Sequence, residues 1–326
     1  MNQDKPEVSF VIPLYNERES LLELKEKISR TMAVASRSFE IIFVDDGSTD
    51  GSGELIERMH REDPRVRLVQ FRKNFGKSAA LDAGFRVASG RYVVTMDADL
   101  QDDPEEVPAL LKKLEEGYDL VSGWKKRRRD PLSRRLASKI YNYFTYVFSG
   151  IRLHDFNCGL KAYRREVVKN IRVYGELHRY IPVVAHKLGF RVTELPVRHH
   201  PRKYGRSKFG AARFFRGAFD LMTVTFLTRY SKRPLHLFGF IGIVCFVAGS
   251  AVSAVLAYQR IFLQKYLSNR PLLFLGILLI IIGIQFFSIG LLGEMITAGN
   301  QHADVYLVRK TIGFGDGKVP FGGGDE

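Results

Sequence analysis

The chain has 326 residues, 45% of them hydrophobic, so it can bury the core of one large domain or of two smaller ones. The formal net charge of +15 indicates an anionic partner: nucleic acid, an anionic membrane or a phosphorylated substrate. Cys158 and Cys245 are its only cysteines, which excludes a disulfide framework and favours a reducing compartment. Residues 1–7 are polar and contain no signal-peptide core, so we expect any membrane attachment to come from later in the chain.

Short apolar runs alternate with longer amphipathic stretches over residues 1–130. The apolar runs predict buried strands and the amphipathic stretches predict helices, with Pro104 in a first turn capped by Asp102 or Asp103. This alternation is typical of an α/β domain with a mostly parallel sheet and helices on both faces. The predicted strands are 8–15, 39–45, 66–71 and 92–97, and the predicted helices are 19–35, 53–60, 77–88 and 104–116.

Polar clusters follow the first, second and fourth predicted strands. Because ligands of parallel sheets gather at the carboxyl ends of strands, we expect these clusters to line one site. In the second cluster, Asp45 and Asp46 suit hydrogen bonds from a base or a ribose, and Gly47 permits a tight turn. The same segment also suits a helix start capped by Ser48 or Asp50, and both interpretations can hold together.

The cluster after the fourth strand contains two carboxylates, Asp97 and Asp99, that can face one hard divalent cation. Gln101 continues this period and offers a third oxygen. A cation at this point would bridge the phosphates of a nucleotide diphosphate. Asp-x-Asp triplets are common in loops, so the position directly after an apolar strand is what favours a metal site.

Basic and amphipathic stretches follow this region. A basic run covers 125–129, and amphipathic stretches cover 131–150 and 207–230. Such helices suit a bilayer interface, and the alternative is ordinary core helices with solvated charges. Seven lysines and arginines and no acidic residue lie within 196–216, which suits phosphate contacts or a face toward lipid headgroups. The Gly-rich residues 313–326 predict a disordered tail.

Two apolar stretches, 235–258 and 271–293, contain no Asp, Glu, Lys or Arg. Each is long enough for a helix that crosses a bilayer. Because only residues 259–270 separate them, they predict a helical hairpin with both outer ends on one side. Positive charges occur on both sides of the spans, so the positive-inside rule does not decide the orientation.

Four motifs, at 11–17, 44–52, 74–85 and 96–106, resemble those of the family-2 glycosyltransferases with a GT-A fold. More narrowly, the chain resembles the polyprenyl-phosphate glycosyltransferases, the group of dolichol-phosphate mannose synthase and the bacterial bactoprenol glucosyltransferases, over about residues 8–293. The resemblance implies a Rossmann-like GT-A catalytic domain, interfacial amphipathic helices and a two-helix transmembrane hairpin. It also implies inverting transfer of a hexose-type sugar, with UDP-glucose favoured, to undecaprenyl phosphate at the cytoplasmic membrane face.

The resemblance implies a role for each residue that matches a family motif. The implied nucleotide-sugar ligands are Pro13, Tyr15, Glu17, Asp45, Asp46, Lys77, Asp97, Ala98 and Asp99. The implied ligands of Mg²⁺ or Mn²⁺ are Asp97, Asp99 and Gln101. The implied contacts to the acceptor or its phosphate are Lys125, Arg202, Ser207 and Lys208.

Asp155 occupies the place where the wider family often has a catalytic carboxylate, and with Asp99 we expect it at the reaction centre. A sugar hydroxyl needs a general base when it attacks, whereas a phosphate monoester, with a second pKa of about 6, already carries a nucleophilic oxygen. Asp155 is therefore either a base or a residue that orients the sugar or the basic side chains. The adjacent His199 and His200 do not suit a metal site, and Cys158 suits a packed side chain.

Several alternatives to this function stay open. GDP-mannose, UDP-N-acetylglucosamine or UDP-aminoarabinose could serve as the donor to the same lipid. A processive polysaccharide synthase would require a Gln-x-x-Arg-Trp element and more spans, and the one tryptophan, Trp124, is not in that context. A basic membrane scaffold would not explain the acidic triplet, and we expect no nucleic-acid partner. Association into a homo-oligomer is left open.

The predicted domains follow from these assignments. We expect a catalytic domain at 1–205 with an interfacial helix at about 131–150, a juxtamembrane helix at 206–234, two transmembrane helices within 235–293 and a cytoplasmic tail at 294–326. Because nucleotide-sugars are cytoplasmic substrates, we expect the protein in the cytoplasmic membrane with its catalytic domain in the cytoplasm.

Overall fold

The chain forms two compact units. One comprises Met1–Leu221 together with Asp304–Glu326, and the other comprises Met222–Ala303. The computed structural model describes residues 5–126, 151–173, 175, 177–201, 234–264, 271–299 and 308–314. The predicted amphipathic stretches at 131–150 and 207–230 lie outside the described residues.

The first unit is built on a mixed, mostly parallel sheet. In chain order its strands are β1 (Val8–Leu14), β2 (Phe39–Asp45), β3 (Val66–Phe71), β4 (Tyr92–Thr95), β5 (Leu120–Trp124), β6 (Lys161–Arg164), β7 (Val192–Pro196) and β8 (Val308–Ile312). Their order in the sheet is β7-β5-β6-β4-β1-β2-β3-β8. The central strands β4, β1, β2 and β3 are all parallel, whereas β6 pairs antiparallel with β4 and β5, and β8 pairs antiparallel with β3.

Helices connect these strands and bury apolar side chains against the sheet. They are α1 (Arg18–Val34), α2 (Ser52–Glu62), α3 (Lys77–Val87), α4 (Val107–Glu115), α5 (Arg165–Asn170) and α6 (Ile181–Lys187). The core side chains of α1 recur at helical spacing, at Leu21, Leu24, Ile28 and Met32. The parallel strands therefore end at one edge of the sheet, where the loops that precede α1, α2 and α3 begin.

The four predicted strands and four predicted helices are all confirmed, with ends that match or differ by at most three residues. The predicted cap is also present, because the Asp103 side chain accepts a hydrogen bond from Glu105 N at 3.0 Å. Strands β5 to β8 were not predicted. Strand β8 lies within the segment that the sequence suggested was a tail, and it adds an edge to the sheet beside β3.

The second unit contains two long apolar helices, α7 (Pro234–Ile261) and α8 (Pro271–Gly299). Their apolar parts, Phe238–Ile261 and Pro271–Gly293, have mean hydropathies of 2.4 and 2.7 and are long enough to cross a membrane. Most of the large exposed apolar side chains among the described residues lie on these helices, Phe274 being 75% exposed. Such surfaces suit contact with lipid rather than with water.

The two apolar helices pack through glycines. A Cβ atom added at Gly242 would lie 2.7 Å from the Gly283 carbonyl oxygen, and one added at Gly249 would lie 2.6 Å from the Gly276 oxygen. The backbones therefore approach as closely as they do at small-residue interfaces between membrane helices.

Replacing Gly242 or Gly283 by Leu should weaken this pair, because overpacking of a close contact costs about 1–3 kcal/mol. We expect a lower thermal midpoint in detergent, measured by intrinsic fluorescence. The matched control is Phe240→Leu, since Phe240 on the same helix is 70% exposed. Equal midpoints for the glycine variants and the control would contradict the glycine contact.

Candidate functional site

The loops after β1 and β2 are joined at the carboxyl edge of the sheet. The amide N–H of Asn16 donates to Ser48 Oγ at 2.9 Å, and Asn16 Oδ1 accepts from Thr49 N at 2.8 Å. These bonds hold Asn16 at a φ of 54°, in the left-handed region that asparagine tolerates. Three predicted nucleotide-sugar ligands are half-buried at this end of β1: Pro13, Tyr15 and Glu17.

Asp45 is buried at the end of β2 and already accepts two hydrogen bonds. Ser48 N donates to its Oδ1 at 2.9 Å, and Gln70 Nε2 donates to its Oδ2 at 2.9 Å. The first turn of α2 passes close to the Gln70 side chain, since a Cβ atom added at Gly53 would lie 2.3 Å from Gln70 Nε2. The predicted role of Asp45 on a base or ribose is therefore combined with a structural role that the sequence did not indicate.

Asp46 is also buried and fastens the loop before α3. Its two oxygens accept from Phe75 N at 2.7 Å and Gly76 N at 2.9 Å. Burial raises the pKa of Asp46 to about 6, although the two amide hydrogen bonds act in the opposite direction. Gly47 has a φ of 75°, and a Cβ there would lie 2.5 Å from the Lys73 backbone, so the turn requires glycine.

The predicted metal-binding residues follow β4 in an irregular turn. Ala98, which separates Asp97 from Asp99 in the sequence, is buried. Asp99 Oδ1 accepts a hydrogen bond from Gln101 N at 3.2 Å. Leu100 has a φ of 59° although it is not glycine, and its side chain is 5% exposed in the core. Packing of Leu100 therefore holds a strained backbone conformation that shapes the turn carrying Asp97, Asp99 and Gln101.

Lys77, the first residue of α3, forms an ion pair with Asp97. The first turn of α3 is fixed from the other side, where His178 Nδ1 lies 2.9 Å from Ser78 Oγ and His178 N donates to the same oxygen at 3.2 Å. Burial, with the charge of Lys77, holds the pKa of His178 well below its usual range, so its ring is neutral. Lys77 thus provides a positioned positive charge beside a predicted metal ligand.

Two carboxylates and one amide oxygen are the hard ligands that Mg²⁺ and Mn²⁺ accept, so the residues at 97, 99 and 101 fit such a cation. Among the described residues there is no group of three or more His, Cys, Asp or Glu side chains arranged to hold a metal. Three side-chain ligands are fewer than the six or more oxygens that such cations take, so a cation at this turn would need further oxygen ligands, which a diphosphate could supply.

Asp155 lies in a buried loop before β6. The Asp155 side chain is 1% exposed, and its Oδ1 accepts from Asn157 N at 3.0 Å. Lys161 of β6 is buried as well, and its ammonium group donates to the Cys158 carbonyl oxygen. Burial lowers the pKa of Lys161 and raises that of the Cys158 thiol, so Cys158 packs as a protonated side chain.

Gly159 lets this loop approach the turn that carries the predicted metal ligands. A Cβ atom at Gly159 would lie 2.8 Å from Asp97 Oδ2 and 2.9 Å from Asp102 Oδ2, while Thr95 Oγ1 donates to the Gly159 carbonyl oxygen at 3.0 Å. Only glycine leaves room for both carboxylates at this point.

Asp102 and Lys125 form a buried ion pair behind the turn. Lys125 Nζ lies 3.3 Å from Asp102 Oδ1, and His199 Nδ1 lies 3.8 Å from the same oxygen. Burial acts to raise the pKa of Asp102, but the positive charge of Lys125 and the nearby His199 side chain outweigh it, and the pKa lies well below its usual range. The same carboxylate raises the pKa of Lys125 against the effect of burial, so both groups are charged.

The segment after β7 is joined to the same turn, which carries the predicted metal ligands. His200 N donates to the Gln101 carbonyl oxygen at 2.8 Å, and Asp102 and His199 form an antiparallel bridge. Arg198 Nε donates to Glu106 Oε1 at 2.6 Å, and His200 Nε2 lies 3.1 Å from an Asp103 oxygen. The first basic side chains of the predicted phosphate-binding segment therefore contact acidic side chains. The predicted phosphate contacts at Arg202, Ser207 and Lys208 lie outside the described residues.

Sequence reasoning missed several residues of this site: Gln70, Asp102, Gly159, Lys161 and His178. One local signal existed, since Lys161 is a charged residue within the otherwise apolar run 158–163. The other residues reach the site through contacts between distant segments.

A family model for glycosyl transferase family 2 matches residues 9–172, half of the chain and every strand and loop described above up to α5. The chain belongs to glycosyl transferase family 2. The predicted family is thereby confirmed, and the protein is a glycosyltransferase with a GT-A fold.

Relatives of this glycosyltransferase cover nearly its whole length. It is 37% identical over 312 residues to the dodecaprenyl-phosphate galacturonate synthase of Rhizobium johnstonii, covering 93% of this chain and 92% of that protein. It is 36% identical over 312 residues to the undecaprenyl-phosphate 4-deoxy-4-formamido-L-arabinose transferase of Salmonella choleraesuis, covering 94% and 93%. These homologues are glycosyltransferases of polyprenyl phosphates, as the sequence motifs predicted.

Two solved structures show the same fold at low identity. The mannosyl-3-phosphoglycerate synthase of Rubrobacter xylanophilus matches with a TM-score of 0.54 at 18% identity, covering 68% of this chain and 74% of that one. A mannosyltransferase of Pyrobaculum calidifontis, in complex with GDP-Man and Mn²⁺, matches with a TM-score of 0.50 at 19% identity, covering 93% and 78%.

The raised pKa of Asp46 predicts a specific pH dependence of stability. Because the pKa of Asp46 is about 6 in the folded state and 3.8 for a free Asp, the free energy of unfolding falls as pH rises between these values. The thermal midpoint of the wild type, relative to that of Asp46→Asn, should therefore be higher at pH 5 than at pH 7. Differential scanning fluorimetry checks this, and a difference that stays constant over this range would contradict it.

Proposed function

We propose that this glycosyltransferase moves a sugar from a nucleotide-sugar to the phosphate of a polyprenyl phosphate, undecaprenyl phosphate in particular, at the cytoplasmic membrane face. The observation that carries the proposal is the pairing of Gln101 and Asp102 with residues 199–200. This pairing starts the basic segment beside the turn that would hold the donor diphosphate. The names of the two relatives support the lipid acceptor, since both contain a polyprenyl phosphate.

The donor side of the site follows from the edge of the sheet. Pro13, Tyr15 and Glu17 line the nucleotide pocket with Asp45 and Asp46. Mg²⁺ or Mn²⁺, held by Asp97, Asp99 and Gln101, would offset the negative charge that develops on the departing diphosphate. Lys77 would then transfer its ammonium contact from Asp97 to a phosphate oxygen, as a lysine readily does.

The acceptor needs no strong general base. A phosphate monoester oxygen attacks the anomeric carbon from the side opposite the diphosphate, so that the new carbon–oxygen bond forms as the bond to the diphosphate breaks, with inversion. Asp155 is buried and hydrogen-bonded to a backbone amide, which supports a role in orienting the basic side chains rather than in taking a proton. Lys125, Arg202, Ser207 and Lys208 would contact the phosphates.

The identity of the sugar depends on the donor pocket. UDP-glucose is kept as the favoured donor, although the sequence motifs do not identify the sugar, and the names of the relatives add a galacturonate and a formamido-arabinose. We therefore propose a UDP-sugar donor. UDP-glucose is to be compared with the UDP-sugars of galacturonate and of 4-deoxy-4-formamido-arabinose.

A donor screen tests the proposed reaction. Purified protein with Mg²⁺ or Mn²⁺, undecaprenyl phosphate and each of these UDP-sugars should yield one glycolipid by mass spectrometry. Excess chelator and Asp99→Ala should each reduce the rate by at least about 100-fold, the scale of losing a group that offsets transition-state charge. Full activity in chelator would refute the metal site, and no glycolipid with any donor would refute the proposed function.

Strand β8 supports a hairpin topology. It follows α7 and α8 in the chain, and yet it pairs with β3 of the catalytic sheet. Because one sheet cannot extend through a bilayer, the chain between α6 and β8 crosses the membrane an even number of times. We propose that α7 and α8 both cross it, with the loop 265–270 on the outer side and both termini in the cytoplasm.

Cysteine labelling tests this topology in a background where Cys245 is replaced by Ser. Ser268→Cys should react with an impermeant maleimide added outside intact cells. Val34→Cys, at a position of the head that is 83% exposed, should react only after the membrane is opened. Labelling of Ser268→Cys only in opened cells would overturn the hairpin.

A further inference from the structure

Asp102 lies where three separate segments meet. It belongs to the turn after β4, its carboxylate lies 3.3 Å from Lys125 Nζ at the end of β5, and it pairs with His199 after β7. Its side chain is only 1% exposed. A buried carboxylate at such a junction either supports the backbone or controls another side chain.

The hydrogen bonds of the neighbouring carboxylates separate these two roles. Asp45 accepts two hydrogen bonds, and Asp46 accepts two hydrogen bonds from backbone amides. Hydrogen bonds of this kind are how a buried carboxylate supports a loop. Neither oxygen of Asp102 accepts a hydrogen bond from any residue that the structure describes. The nearest polar groups to its carboxylate are the Lys125 ammonium at 3.3 Å and His199 Nδ1 at 3.8 Å, so Asp102 acts on side chains rather than on backbone amides.

Lys125 has other carboxylates to which it could move. Asp97 and Asp155 both act electrostatically on its ammonium group, and its side chain is only 15% exposed. Without Asp102, the ammonium would be drawn toward Asp97, the predicted metal ligand that Lys77 already contacts. Asp102 therefore keeps a second positive charge away from the metal-binding carboxylate.

We propose that Asp102 is a positioning residue that fixes the Lys125 ammonium group as a ligand for a phosphate oxygen of one of the two substrates. The inference rests on the proposed function, in which Lys125 contacts phosphate. The phosphate can belong to the donor diphosphate or to the lipid acceptor, because the chemistry of recognition is the same. A fixed ammonium binds phosphate with less loss of side-chain freedom than a mobile one.

A double-mutant cycle on the full-length enzyme tests this dependence. KM for donor and KM for undecaprenyl phosphate are measured for the wild type, Asp102→Asn, Lys125→Met and the double variant. We expect each single variant to raise the same KM by at least tenfold, and the double variant to match Lys125→Met alone. Effects that multiply, or that fall on different substrates, would overturn the proposal. The substrate whose KM rises identifies the source of the phosphate.

Folding is controlled within the same set of variants. The double variant removes both charges, which avoids leaving one of them buried without a partner. Asp82→Asn is the matched control, since Asp82 is 8% exposed and pairs with Arg86 at 2.9 Å, outside the site. We expect this control to keep both KM values within about twofold of the wild type, whatever its thermal midpoint. A double variant with a wild-type midpoint and wild-type KM values would refute the inference.

Reductive methylation gives a readout that needs no substrate. Lys125 should be methylated slowly in the wild type and in Asp82→Asn, and at least fivefold faster in Asp102→Asn, as followed by peptide mass spectrometry. An unchanged rate in Asp102→Asn would overturn the inference while leaving the proposed function intact. Conversely, a faster rate in an enzyme that transfers no sugar to a polyprenyl phosphate would remove the proposed function and keep the fixed position of Lys125.

Discussion

Neutralisation of carboxylates at one edge of the sheet is the constraint on which the site depends. Asp97 lies close to Asp102 and Asp155 there, and the latter two are buried. Buried carboxylates are costly without a compensating charge. Lysines provide that charge, with Lys77 on Asp97 and Lys125 on Asp102. The arrangement suits an enzyme whose substrates bring both a cation and several phosphates. An arriving cation can replace a lysine beside a carboxylate, and an arriving phosphate can replace a carboxylate beside a lysine.

The loops that carry these charges are held in place by contacts that do not involve a ligand. Asp46 accepts hydrogen bonds from the backbone before α3, Asn16 joins two loops, and Gly159 permits close contact between the loop before β6 and the turn with the predicted metal ligands. Leu100 holds a strained φ through its burial. Such fixed loops can present charged groups without reorganising when the reaction occurs, which is the main source of electrostatic catalysis.

Local patterns in the sequence predicted much of the fold. Apolar runs with flanking turn residues located β1 to β4 and their helices, and Asp103 was recognised as a cap because capping depends on adjacent residues. Strand β8 was missed because its pairing with β3 spans more than 200 residues of sequence, including both apolar helices. Short strands such as β6, with four residues, carry too few residues for a clear alternation.

The residues of the candidate site that follow from local sequence patterns were predictable, and those that depend on contacts between distant segments were not. The carboxylates after β2 and β4 follow apolar strands, so their position at one edge of the sheet could be inferred. The contacts of His178 with Ser78 and of Asp102 with Lys125 join segments that no periodicity relates. The basic character of residues 198–200 was visible, but their pairing with the acidic residues 102–106 required the fold.

Manganese affinity with and without UDP tests the central claim most directly, namely that the cation site is incomplete until a diphosphate arrives. Electron paramagnetic resonance can measure free Mn²⁺ in titrations of the purified enzyme. We predict weak binding without UDP, because Lys77 contacts Asp97 and three side-chain ligands fall short of the six oxygens that the cation takes. At saturating UDP we predict at least tenfold tighter binding, with UDP affinity rising by the same factor with Mn²⁺. Equal Mn²⁺ affinity in the two states, or no Mn²⁺ binding even with UDP, would contradict it.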